Sequence, residues 1–99
     1  MRSPATVIDV AGTLFIAGEL DMWTAGIVRE AIASRPGIAA VDCSGVTFID
    51  SAGFSAIVDP LHNRRMLIVD PSPVVARLLD LFYRQDLGAL YSGLFISAS

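Results

Sequence analysis

An α/β fold, in which a mixed sheet of four to five strands carries packed helices, follows from three observations. Two β-favouring runs stand back to back near the start, separated only by Ala11-Gly12. After them, apolar runs alternate with segments whose apolar residues recur at helical spacing, which gives the order β-β-α-β-α-β-α. The chain has 99 residues, 54% of them hydrophobic and 17% charged, enough for one core and too few for two. Residues 1–99 are therefore expected to form a single domain, with strands linked through helices by parallel crossovers.

The first two strands are expected at Thr6–Val10 and Thr13–Ala17, with Ala11-Gly12 as a tight hairpin connection. Gly18-Glu19-Leu20-Asp21 breaks the strand pattern, and Asp21 is placed to cap a helix in which Trp23, Ile27, Val28, Ala31 and Ile32 recur at helical spacing. That helix should end near Arg35, before Pro36-Gly37. Ile38–Cys43 reads as a buried central strand, interrupted by Ser44-Gly45. Val46–Ile49 leads into Asp50-Ser51-Ala52-Gly53, after which Phe54, Ile57, Val58 and Leu61 mark one face of a short helix closed by Pro60. Arg65–Val69 returns as a strand. Asp70-Pro71-Ser72-Pro73 then supplies an N-cap serine with proline at the first helical position. The third helix carries Val74, Val75, Leu78, Leu79 and Phe82 as its core face and stops by Gly88, and Leu94–Ile96 is a candidate last strand.

Charge and composition remove several function classes. Ten acids, eight of them Asp, stand against seven bases, all Arg, for a net charge of −3. With no basic cluster beyond Arg64-Arg65, a nucleic-acid partner is not expected. The longest uncharged run, Leu87–Ser99, has 13 residues against the roughly 20 a spanning helix needs, so membrane insertion is not expected. Met1-Arg2-Ser3-Pro4 reaches Asp9 before a signal-peptide apolar region could develop, which points to the cytoplasm. One Cys and one His make neither a disulfide nor a zinc site, and Cys43 reads as a packing residue. No two glycines lie two apart and there is no lysine, so neither a dinucleotide fingerprint nor a phosphate-binding loop is present, and no cofactor is expected.

Catalytic constellations fare no better. Gly53-Phe54-Ser55-Ala56-Ile57 follows a nucleophile elbow until Ile57 replaces the last glycine, and its base would have to be His62, the one histidine. Asp21 and Asp50 form an acid-base pair only if their strand ends converge, and helix capping explains both more simply. Ser51 stands where a loop meets a helix N-terminus: it is either part of the cap or an accessible hydroxyl whose phosphoryl derivative nearby amides would accommodate. Gly53 costs roughly 0.8–1.0 kcal/mol relative to Ala inside a helix, so something must approach the backbone there.

Three separated motifs, Gly18-Glu19-Leu20-Asp21, Val41-Asp42-Cys43-Ser44-Gly45-Val46-Thr47-Phe48-Ile49-Asp50-Ser51-Ala52-Gly53 and Asp70-Pro71-Ser72-Pro73, together resemble the STAS domain of bacterial anti-anti-sigma factors over roughly Val7 to Leu90. The resemblance implies a protein-binding switch in signal transduction and transcription regulation, not an enzyme. In such proteins the unphosphorylated domain binds a cytoplasmic anti-sigma factor, often a serine kinase with a GHKL-type ATP site, and so frees a sigma factor. The kinase phosphorylates the serine of the Asp-Ser-x-Gly motif and a phosphatase restores it.

Carried onto this chain, the phosphoacceptor is Ser51, and Asp21, Asp50, Ala52, Gly53, Ser55 and Asp59 join it on the expected partner-binding rim. Phe54 reads first as a core residue. The alternative role within the same family is a regulatory subunit on the ATPase of a lipid-transport ABC complex. Two departures stand out: Pro60 shortens the second helix, leaving 14 residues from Ser51 through Arg64, and Cys43 replaces an aliphatic residue. The apolar surface this leaves has room for a homodimer.

Overall fold

The computed structural model describes residues 5–62, 66–83 and 95–96. Its elements are β1 (Thr6–Val10), β2 (Thr13–Leu20), α1 (Ala25–Ala33), β3 (Ala40–Ile49), α2 (Ser51–Val58) with a 3-10 turn at Asp59–His62, β4 (Leu67–Val69), α3 (Pro73–Tyr83) and β5 (Phe95–Ile96). The strands lie in one sheet in the order β1-β2-β3-β4-β5. β1 pairs with β2 antiparallel, and every other pairing is parallel. This is the α/β class and the element order read from the sequence, with Phe95–Ile96 completing the sheet where a last extended piece was expected.

Ala11 and Gly12 both have positive φ, +52° and +88°, as a two-residue type I′ hairpin requires. From β2 onward the strands step in one direction across the sheet, so right-handed crossovers place α1 and α2 on the same face. Side-chain alternation agrees: Leu14, Ile16, Val41, Cys43 and Ile68 point toward the helices and are sealed. They join Val28 and Ile32 of α1, Ile57 of α2, and Val75 and Leu79 of α3 in one contiguous cluster. Cys43 is fully buried in it, and burial, then the neighbouring Asp42 charge, pushes its thiol up to about 12. It is a packing residue, as composition suggested.

Two strands run further than the sequence pattern indicates. β2 continues through Gly18-Glu19 to Leu20, and β3 passes through Ser44-Gly45 without a break. The glycines are the reason. Gly18 takes φ +94° at one irregularity in the β2–β3 ladder, and Gly45 lies opposite Ala17, where a Cβ would come within 2.7 Å of the Ala17 Cβ. Residues that read as breakers instead allow a bulged pairing to continue.

The helix faces also need correction. α1 begins at Ala25, so Trp23 lies in the preceding turn and is 81% exposed, and Ile27 points outward as well. On α3, Val75 and Leu79 are buried but Val74 and Phe82 are exposed. β4 is confined to Leu67–Val69; Arg65 and Gly88, invoked as boundaries, lie outside the described residues.

Candidate functional site

The rim of interest is built by register. Leu20 pairs with Ile49 at the ends of neighbouring parallel strands, so the next residues along each strand, Asp21 and Asp50, emerge side by side at the carboxyl edge of the sheet. Asp50 is in extended conformation and caps α2: its Oδ1 accepts from Gly53 N–H at 2.9 Å. Its Oδ2 accepts from Met22 N–H at 3.1 Å, across to the β2–α1 connection. One carboxylate thus ties together the starts of two helical segments.

Asp21 organises the other side. Its Oδ1 accepts from Trp23 N–H at 2.9 Å and Thr24 N–H at 3.1 Å, and its carbonyl accepts from Ala25 N–H at 2.8 Å. Thr24 Oγ1 donates to Glu19 O at 2.7 Å and accepts from Asp21 N–H. The carboxylate therefore closes a turn ahead of α1 and does not cap the helix itself, whose flanking Thr24 makes no side-chain cap. The strand ends do converge, but both carboxylates are committed to backbone amides.

Gly53 packs on the back of this junction. A Cβ there would meet the Leu20 carbonyl group, 2.7 Å from its carbon, and the Leu20 Cβ at 2.8 Å. The close approach that its position demands comes from the chain's own β2. Asp21 and Gly53 are both buried, beneath the rim.

Ser51, the first residue of α2, is exposed, and its hydroxyl makes no hydrogen bond among the described residues. Capping falls to Asp50, which leaves the serine oxygen unengaged. Ala52 and Ser55 are half-buried, and Asp59 is exposed at the far end of α2, where it pairs with Arg29 of α1 at 3.3 Å. An open hollow of about 230 Å³ runs beside the serine, lined by Ser51, Phe54, Ser55, Val58, Asp59 and Phe82. Phe54 is buried, as expected, and forms its floor by stacking on Phe82 with ring centroids 5.3 Å apart.

Three apolar contributors escaped the sequence reading: Met22 and Trp23, exposed on the turn tied to Asp50, and Phe82 at the lip of the hollow. Counting helical spacing from Trp23 assigned it to the core. The available signal was Asp21 itself, since an Asp that bonds the amides two and three residues on makes a turn before any helix.

The third motif lies elsewhere. Val69 pairs with Asp42, and Ser72 N–H donates to Cys43 O at 3.2 Å, so α3 begins about seven strand residues, roughly 20 Å, back from the Ser51 rim. The hydroxyl of Ser72, read as an N-cap, is buried and makes no hydrogen bond. Among the described residues, no group of three or more His, Cys, Asp or Glu side chains is placed to hold a metal. No helix among them is long and apolar enough to cross a membrane.

Comparison with known proteins decides the family. The STAS domain model matches residues 3–92. The chain belongs to the STAS domain family. Domains of this family are regulatory and non-catalytic. Among solved structures, the chain is similar to the anti-sigma factor antagonist SpoIIAA in its unphosphorylated form, with a TM-score of 0.66 and 19% identity over 96% of this chain and 88% of that one. At that identity the likeness is one of fold. No curated protein matches the sequence.

Proposed function

We propose that this STAS domain is an anti-sigma factor antagonist whose affinity for an anti-sigma factor kinase is set by phosphorylation of Ser51, with a phosphatase reversing the modification. The observation that carries this reading is the division of labour at the β3–α2 junction. Asp50 caps the helix, and the adjacent serine presents an exposed, unengaged oxygen at the helix N-terminus.

A phosphoryl group there adds about −1.5 to −2 charges and three acceptor oxygens. Gly53 N–H, a first-turn donor that a phosphate would otherwise use, is already held by the Asp50 carboxylate. The new charge therefore stands beside an existing anion at the centre of the docking face. A partner covering Ser51, Ala52, Ser55 and the neighbouring hollow loses affinity through like charge and desolvation, and the domain itself need not refold. Asp21 and Gly53 serve by holding the rim in shape, and Trp23 and Met22 offer apolar contact next to it.

The test is binding of the purified chain to its cognate anti-sigma factor kinase by calorimetry. Ser51→Asp should weaken binding about a hundredfold, roughly 2.8 kcal/mol, with an unchanged melting temperature. Ser51→Ala should bind like the parent and accept no phosphate from the kinase. Equal affinities for Ser51→Asp and the parent would refute the switch.

A further inference from the structure

Strand β1 is an edge among the described strands, with β2 as its one neighbour. The two-residue hairpin is closed by the Val10–Thr13 pair, and in such a hairpin the closing pair exchanges both hydrogen bonds. Bonding then alternates along the ladder, so Ile8 and Thr6 also direct their backbone groups at β2, toward Phe15 and Ala17. The amides and carbonyls of Val7 and Asp9 consequently point outward, away from the sheet.

Side chains alternate across the sheet. Val7 and Asp9 lie on the helix side, where Asp9 forms an ion pair with Arg35 at 3.4 Å. Thr6, Ile8 and Val10 lie on the opposite side, with Ile8 60% and Val10 53% exposed next to Phe15 of β2 at 40%. Edge strands are ordinarily protected by unpaired charges, prolines or very short length. This one has five residues, no proline, and a single charge that Arg35 already engages.

We propose that β1 pairs antiparallel with β1 of a second copy of this chain, about a two-fold axis through Ile8, joining two sheets into one. That register opposes Val7 to Asp9 of the partner subunit and Asp9 to Val7 of the partner subunit. These are the residues with outward backbone groups, and the pairing forms four hydrogen bonds. Ile8 meets its own copy in the close, non-hydrogen-bonded pair, and Thr6 meets Val10 of the partner subunit.

Charge and strand length together select this register: an axis at Val7 would leave Asp9 and Val10 beyond the partner's five-residue strand, and only Ile8 lies at its middle. Each Asp9 stands opposite a valine, whereas an axis moved to residue 9 would set two carboxylates face to face. The two-fold pairing also sets the exposed Ile8 of each copy against the other, flanked by Val10, so the apolar side chains left open on this face cover one another. Five residues a side make a small interface, so the dimer forms in a concentration-dependent way.

Light scattering and sedimentation of the full chain, from the order of 1 µM to several hundred µM, should show the mass rising from 10.5 kDa toward twice that value. Ile8→Lys opposes two ammonium groups at the axis and should weaken association at least about tenfold, with unchanged circular dichroism and melting because the side chain is exposed in the monomer. Ile8→Cys should form a disulfide-linked dimer rapidly under diamide. Its Cα atoms would lie about 4.5 Å apart across the axis, inside the disulfide range. Thr6→Cys, facing Val10 of the partner subunit, should not, and the buried Cys43 adds little background. A monomer throughout the range, parental dimerisation of Ile8→Lys, or equally fast crosslinking of Thr6→Cys would each overturn the proposal.

Discussion

Two strand-to-helix junctions in this molecule carry nearly the same signal and use it differently. At the β3–α2 junction, Asp50-Ser51 gives a capping carboxylate and an exposed serine. At the β4–α3 junction, Asp70-Pro71-Ser72-Pro73 gives a serine whose hydroxyl is buried and unpartnered, beside an Asp70 held at φ +47°. The difference lies in where each strand stops. β3 runs ten residues and delivers its junction to the sheet's carboxyl edge next to Asp21, whereas β4 has three and releases the chain against Cys43 in the body of the sheet. A serine beside a helix start becomes a surface group only when the strand is long enough to carry it to the edge and another residue takes over the cap.

The sharpest way to break the first junction is Gly53→Ala. Its Cβ has nowhere to go except into the Leu20 backbone, and an expected loss of about 2–3 kcal/mol should appear as a melting temperature lower by about 10–15 °C. Asp50→Ala removes a helix cap together with the bond to Met22 N–H and should cost about 1–2 kcal/mol. It should also lower the fluorescence anisotropy of Trp23, the one tryptophan, by loosening the turn that carries it.

The second junction predicts the opposite sign for its serine. Ser72→Ala discards an unpartnered buried hydroxyl and should be neutral or stabilising by up to about 1 kcal/mol in urea unfolding. Ser51→Ala should change stability by less than about 0.5 kcal/mol, because an exposed oxygen with no partner among the described residues supports nothing.

Cys43, whose carbonyl receives Ser72 N–H, adds a pH test with no effect at neutrality. Its thiol rises from 9.0 to about 12 on folding. The folded state therefore holds the proton longer, and the associated stability is complete below pH 9 and lost as pH climbs toward 12. Thiol labelling at pH 8 should be slow in the native chain and fast in urea; fast native labelling would contradict the packing of this junction.

Much of the fold was legible in the sequence because periodicity reports which face of an element is apolar. The core positions Val28, Ile32, Ile57, Val75 and Leu79 follow from it, while the hairpin at Ala11-Gly12 follows from the β-favouring runs on either side and the buried strand through Val41 and Cys43 from its continuous apolar run. Periodicity misplaced Trp23 and Phe82 because it records spacing, not where a helix begins or whether another element lies opposite. It also read Gly18 and Gly45 as breaks, since a bulge is tolerated only through the partner strand, which a single segment does not reveal.

At the site, the motif Asp50-Ser51-Ala52-Gly53 was visible as a cap with an adjacent serine. The shared use of Asp50 by Met22, 28 residues away in sequence, was not.

The sequence by itself determined the element order, the single hydrophobic cluster and the chemistry available at each helix start, because these depend on local spacing and side-chain type. Only the tertiary structure decided that Asp21 and Asp50 emerge together while Ser72 is withdrawn, and that β1 is left as an edge among the described strands. Those outcomes depend on strand length, register and neighbour, which long-range hydrogen bonding sets across the sheet.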